Sequence, residues 1–295
     1  MNGDIPGARR ERIDCGGAVL SVQFMGPDDG EPVIMWHGFP EMGYSWRHQA
    51  AALAADGYRA IVPDLRGYGE SDRPTGTDAY AFPQLVGDVV GLINALGHGY
   101  AHLAGHDWGG SLCWATSALM PDKVRSLMIL NAPHPVASAE CRQVPEQQQK
   151  SWYMLLFQFE GVAEEWLLKD GAANLSAFVF DTAAPGTFGD EERRVFTDAL
   201  MREGAMTAAL EYYRANIPPR NWLKPPPDLP PVTVPTTIMW ADADAYMTPL
   251  LLERSITKVE GPLEVVMLEG VSHWAQQEAP DLVNAAMRDH LARTR

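Results

Sequence analysis

The sequence predicts an α/β fold: a mostly parallel sheet with helices on both faces and an inserted helical cap. Three observations carry that expectation. Short apolar runs ending at glycine or proline turns alternate with windows of helical spacing. A glycine-flanked strand-to-helix turn occupies 105–110. An interval of roughly 139–222 contains no convincing strand before the βα rhythm resumes.

In chain order, Val33 to Trp36 is a short apolar run that stops at a glycine turn, the form of a buried strand. Ser45 to Ala55 reads as helix, and Tyr58 to Val62 as a strand ending at Pro63. Leu85 to Leu96 carries apolar residues at helical spacing. Tyr100 to Ala104 is the strand entering the glycine turn, and Ser111 to Leu119 is the helix leaving it, stopped by Pro121. Val124 to Leu130 is another strand, ending at Asn131-Ala132-Pro133-His134-Pro135. Aromatic-rich helical windows follow at Trp152 to Phe159, Glu164 to Leu168 and Ala205 to Arg214. The prolines between Pro218 and Pro231 make the next stretch stiff and extended. Strands return at Thr236 to Trp240 and Glu264 to Leu268, and an amphipathic helix runs from Pro280 to Ala292. The expected division is therefore a core at 1–138 and 231–295 around a cap at 139–230.

Bulk composition excludes several partners. A chain of 295 residues suits one α/β domain with an insertion. Its net charge of −15, with no basic stripe, argues against nucleic acid or an anionic membrane surface. No apolar run approaches the ~20 residues needed to span a bilayer, so no membrane insertion is expected. Met1 to Arg12 lacks the apolar segment of a secretory signal. Cys15, Cys113 and Cys141 form neither a disulfide framework nor a metal-ligand spacing. A cytoplasmic protein, monomer or homodimer, with no metal and no organic cofactor, is the expectation.

Gly105-His106-Asp107-Trp108-Gly109-Gly110 has the pattern of a nucleophile elbow, a sharp turn that lifts one side chain out of the chain's path. Glycine is required at 105, 109 and 110 because a side chain there would meet the neighbouring strand or helix. The lifted residue is an aspartate. A carboxylate displaces a leaving group from saturated carbon and forms an ester that water can hydrolyse. A serine attacking the same carbon would be left as an inert ether. Asp107 therefore points to a leaving group on sp3 carbon.

Other candidates sit beyond the ends of strands, where open parallel sheets gather their chemistry. His37-Gly38-Phe39-Pro40 holds the position of an oxyanion-hole loop. His273, in Gly270-Val271-Ser272-His273-Trp274, follows the last strand. Asp244 lies four residues beyond Trp240, and spacing favours it over its neighbour Asp242 as the partner of His273. His106 is expected to turn into the sheet as a structural residue.

These residues resemble the soluble epoxide hydrolases of the α/β-hydrolase fold over nearly the whole chain. The likeness rests on His37-Gly38-Phe39-Pro40-Glu41 with Tyr44-Ser45-Trp46-Arg47, on Asp64-Leu65-Arg66-Gly67-Tyr68-Gly69, and on the elbow, Asp244 and His273-Trp274. Trp152-Tyr153 with Phe157-Gln158, and Leu210-Glu211-Tyr212-Tyr213-Arg214, resemble the segments that carry the family's two ring-opening tyrosines. The resemblance implies Tyr153 and Tyr213, the latter in preference to Tyr212. It implies Asp107 as nucleophile, His273 with Asp244 as the water-activating pair, and the backbone N–H groups of Phe39 and Trp108 as the oxyanion hole. His37, Trp152 and Trp274 are expected at the substrate, a small-molecule epoxide that is apolar, aromatic ones included, to be opened by water to a vicinal diol. Two other readings stand beside it: a haloalkane or haloacetate dehalogenase of the same fold, and a non-catalytic small-molecule receptor.

Overall fold

The computed structural model describes residues 3–294, so residues 1, 2 and 295, at the outer ends of the two expected core segments, lie outside the described residues. Eight strands form one sheet: β1 (Arg9–Asp14), β2 (Val19–Met25), β3 (Pro32–Trp36), β4 (Arg59–Pro63), β5 (Ala101–His106), β6 (Val124–Leu130), β7 (Thr236–Ala241) and β8 (Leu263–Leu268). Their order across the sheet is β1-β2-β4-β3-β5-β6-β7-β8. β2 runs antiparallel to both neighbours, and every pair from β4 to β8 is parallel. The central strands are near-continuous apolar runs because helices cover both faces. All five residues of β3 and all six of β5 and β7 are buried.

β1 and β2 were not foreseen from the sequence. β1 reads Arg-Arg-Glu-Arg-Ile-Asp along a half-exposed edge, so it has no apolar face to betray it. β2 buries Ser21 and Gln23 among its apolar residues; the Ser21 hydroxyl accepts from Arg10 and the Gln23 side-chain oxygen from the Ile5 N–H.

The helix Arg47–Ala55 leads from β3 to β4, toward one edge, whereas Asp107–Leu119 leads from β5 to β6, toward the other. Right-handed crossovers in opposite directions place these helices on opposite faces. Arg47–Ala55 packs against Pro280–Arg293, and Asp107–Leu119 against Phe82–Ala95. The order reverses between the adjacent strands β3 and β5, and a topological switch point of this kind leaves a crevice at the strand ends. Both the His37 loop and the Asp107 elbow emerge there.

β6 and β7 are neighbours in register, Leu127 with Thr236 through Leu130 with Met239. Between them the chain leaves the sheet and forms Pro135–Cys141, Pro145–Lys150, Tyr153–Leu156, Val162–Val179, Asp190–Leu200 and Ala205–Asn216. Two of these segments are tied by one arginine. Arg214 pairs with Glu164 at 2.8 and 2.9 Å and donates from Nε to the Phe157 carbonyl at 2.9 Å. Asn216 then anchors that helix to the sheet domain, bonding the Tyr80 carbonyl and the Phe82 N–H.

At the N-terminal ends of the strands, away from the crevice, a buried polar row spans the sheet. The Ser126 hydroxyl lies 2.6 Å from both His102 Nδ1 and His290 Nε2, and His290 Nδ1 lies 2.8 Å from the Thr237 hydroxyl. This row fastens the last helix to β5, β6 and β7.

Candidate active site

Asp107 begins its helix with φ of 49°, in the left-handed region that non-glycine residues seldom adopt. The turn is compressed enough to need its glycines. A Cβ on Gly109 would lie 2.2 Å from the Trp36 carbonyl oxygen, and one on Gly38 only 2.3 Å from Asp107 Cβ. Without a side chain at 38, the loop after β3 reaches the carboxylate directly. The Phe39 N–H donates to Asp107 Oδ1 at 2.8 Å.

The other carboxylate oxygen faces a histidine. Asp107 Oδ2 lies 3.8 Å from His273 Nε2, and His273 Nδ1 is 2.6 Å from Asp244 Oδ2. Asp244 is 4 % exposed and heavily bonded. Asn131 donates to its Oδ2 at 2.7 Å, and the Tyr246 and Met247 N–H groups donate to Oδ1 at 2.7 and 3.1 Å. Asp242 instead accepts from the Gly270 N–H at 2.6 Å, which leaves Asp244 as the histidine's partner.

The electrostatics follow from that pairing. Burial alone would lower the His273 pKa, but the adjoining Asp244 carboxylate outweighs it and the net shift is upward. Burial would likewise raise Asp244, yet its attraction to His273 and the Asn131 and Tyr246 hydrogen bonds bring it below the usual carboxylate value.

A cavity of about 410 Å³ opens at Asp107, lined also by Trp108, Tyr153, Tyr213 and Tyr246. Tyr153 and Tyr213 face each other across a ring separation of 6.1 Å. Burial, reinforced by the Asp107 carboxylate, raises both phenols well above their ordinary value, so both stay protonated. Tyr212 points elsewhere, giving its hydroxyl proton to the Arg66 carbonyl at 2.8 Å in the interior. The remaining wall is mostly apolar, with Phe82, Met154, Met247 and Leu251 among its members.

Three residues expected at the substrate stand outside that wall. His37 is fully buried, its Nε2 accepting from the Leu65 N–H at 2.9 Å and its Nδ1 lying 2.9 Å from the Gly38 carbonyl. It shapes the loop. Trp274 is 2 % exposed and donates to the Thr182 hydroxyl. Trp152 is 50 % exposed and borders a separate groove with Trp166 and Phe178. An aromatic residue near a catalytic one in sequence has no reason to share its cavity.

Asn131, Tyr246 and Glu41 were missed. Asn131 closes β6 at φ of 41°, where asparagine is favoured among non-glycine residues, and that position before Pro133 was its only signal. Glu41, 1 % exposed, accepts from Gln276 at 2.8 Å and Gln277 at 2.7 Å, just beyond His273. His106 lies on the same side, its Nε2 2.9 Å from the His273 carbonyl oxygen, in the structural role expected of it.

The family profile of the alpha/beta hydrolase fold matches residues 31–280. Epoxide hydrolase A of Mycobacterium tuberculosis is 33 % identical, over 97 % of this chain and 98 % of its own. Epoxide hydrolase 2 of Caenorhabditis elegans is 35 % identical over 90 % of this chain and 75 % of its own. The chain belongs to the epoxide hydrolase family of the α/β-hydrolase fold. The crystal structure of Bacillus megaterium epoxide hydrolase with an inhibitor superposes with a TM-score of 0.86 at 28 % identity, covering 96 % of this epoxide hydrolase and all of that chain. Among the described residues, no helix of this epoxide hydrolase is long and apolar enough to cross a membrane.

Proposed function

We propose that this epoxide hydrolase converts an apolar epoxide to a vicinal diol through a covalent ester on Asp107. The observation that carries the reading is the division of labour at one carboxylate. Asp107 Oδ1 is held by the Phe39 N–H, while Oδ2 lies 3.8 Å from His273 Nε2. Oδ2 is then the attacking atom. It displaces the ring oxygen from one epoxide carbon, forming the C–O bond of the ester as the ring C–O bond breaks. Tyr153 and Tyr213 hydrogen-bond that oxygen and supply its proton, acid assistance typically worth ~10²–10⁴ in rate. Their raised pKa values keep the proton in place until alkoxide develops.

His273, neutral and oriented by Asp244, next takes a proton from water. The hydroxide adds to Asp107 Cγ, and Oδ1 becomes the oxyanion. The Phe39 N–H already in contact with Oδ1 stabilises it, joined by the Trp108 N–H; one such donor is worth ~3 kcal/mol. Collapse breaks the Cγ–Oδ2 bond, protonated His273 returns its proton to the departing Oδ2, and the diol leaves; Asp107 keeps a water oxygen, and the second water proton restores the phenol that gave up its own. Segment 139–230, which contributes both tyrosines, is the cap over a core formed by 1–138 and 231–295.

A single turnover in ¹⁸O-labelled water tests the scheme. The label should enter Asp107, found by peptide mass spectrometry, and the diol should carry none. Label in the diol alone would mean direct attack by water. In His273→Gln the ester should accumulate as a mass increase equal to the epoxide.

A further inference from the structure

The second half-reaction needs water at His273 while the ester remnant of the substrate still occupies the cavity at Asp107. That cavity is then a poor route for it. Its wall is mostly apolar, with Phe82, Met154, Met247 and Leu251 among its residues, and an organic group held there excludes solvent. His273 itself is 3 % exposed.

A second recess lies on the other side of one side chain. A groove of about 580 Å³ runs between the helices inserted after β6 and the loop after β7, where Gln149, Asn174 and Thr182 offer polar groups that water can bond. It reaches solvent beside half-exposed Trp152. Tyr246 borders both this groove and the cavity at Asp107. Its ring meets the His273 ring edge-on at 5.2 Å and the Tyr153 ring at 5.7 Å. The two ends of this residue are held differently. Its N–H donates to Asp244 Oδ1 at 2.7 Å, which fixes the main chain. Its hydroxyl donates to the Phe178 carbonyl and lies 3.2 Å from the Thr182 hydroxyl, both on the groove side. A fixed hinge with a latched tip allows the ring to turn without moving a strand.

We propose that this groove is the entrance for the hydrolytic water, and that Tyr246 is the door between it and His273. The proposal rests on the ester mechanism above. When the hydroxyl leaves Phe178 and Thr182, rotation of the ring joins the groove to the histidine, while Asp244 keeps its backbone donors. Organic substrate and water then use different openings, so a filled cavity does not starve His273 of water.

The test plugs the groove without touching the reacting groups. Ala177 is exposed on its wall and the chain's three cysteines are buried, so Ala177→Cys offers one accessible thiol. The folded variant is labelled with pyrene maleimide, or with methyl methanethiosulfonate as a small control. Single turnovers of styrene oxide are then followed by rapid quench, with the Asp107 ester measured by peptide mass spectrometry. The bulky label should slow ester hydrolysis about tenfold and leave ester formation within about twofold, so that ester accumulates. The small label should do neither. Hydrolysis at the unlabelled rate under the bulky label overturns the proposal, and so does equal slowing of both steps. Tyr246→Phe loses the latch but keeps the ring and the backbone donor, so it should hydrolyse the ester faster than the wild-type protein. Unchanged or slower hydrolysis in that variant overturns the role of Tyr246. Absence of any Asp107 ester in the unlabelled protein would instead remove the ester reading, and this proposal with it.

Discussion

His290 refuses a proton that the unfolded chain accepts, and that difference sets how the protein responds to acid. Burial, then the neighbouring His102 ring and Arg293 guanidinium, lower its pKa from 6.5 to about 3. In the unfolded chain it titrates near the ordinary value. Between those two values the unfolded state binds the extra proton, so folding stability falls as pH falls, by about 1.4 kcal/mol per unit. Going from about pH 7 to 4.5 therefore removes roughly 2.5 kcal/mol, a large part of the ~5–15 kcal/mol that holds a domain together. His102, also lowered by burial, acts in the same direction, although Glu31 at 3.0 Å from its Nε2 offsets part of the effect. The assay is urea denaturation of the wild-type protein and His290→Gln at about pH 7 and pH 4.5. Glutamine cannot take up the proton. The variant should start weaker at neutral pH, through altered hydrogen bonds to Ser126 and Thr237, yet lose roughly 2.5 kcal/mol less on acidification. Equal acid losses in the two proteins would refute the reasoning.

Three other outcomes are expected. In the proposed scheme ester hydrolysis needs neutral His273, whose pKa is raised, so the second half-reaction should fail as pH drops through that raised value; in Asn131→Ala, Asp244 loses a donor, becomes more basic, and the acid limb of the pH–rate profile should move to higher pH. A limb that stays put or moves down in that variant would contradict the charge assignment. Arg214→Ala breaks a buried ion pair and should cost ~3–5 kcal/mol by denaturant titration, since Glu164 and Glu211 are left uncompensated; a loss below ~1 kcal/mol would show that the arginine is not holding its two segments. Tyr153→Phe and Tyr213→Phe should each slow ester formation by ~10²-fold in stopped-flow measurements while sparing ester hydrolysis. Slowing confined to the second step would misplace the tyrosines.

Much of this arrangement was legible because it is local. The elbow's glycines and the single turn between β5 and its helix mark Asp107, and chain order beyond the strand ends then selects Asp244 and His273. The helix itself starts at Asp107, four residues before the sequence suggested, because packing against Trp36 and Ala132 holds two glycines helical against their propensity. What escaped depends on contacts between distant segments. His37 and Trp274 look like binding residues until their polar atoms prove to be satisfied internally. β1 was invisible because its partner, not its own pattern, makes it a strand.

Glu41 sits two residues beyond the Phe39 amide, and both of its oxygens are bonded by Gln276 and Gln277, three and four residues beyond His273. Two distant stretches of chain are thus riveted together underneath the reacting atoms. In the proposed scheme the loop that receives negative charge and the segment that deprotonates water share this platform, which fixes their spacing. Traffic has to be accommodated from the opposite side, by the helices between β6 and β7, and sequence variation there can retune selectivity without disturbing the chemistry beneath.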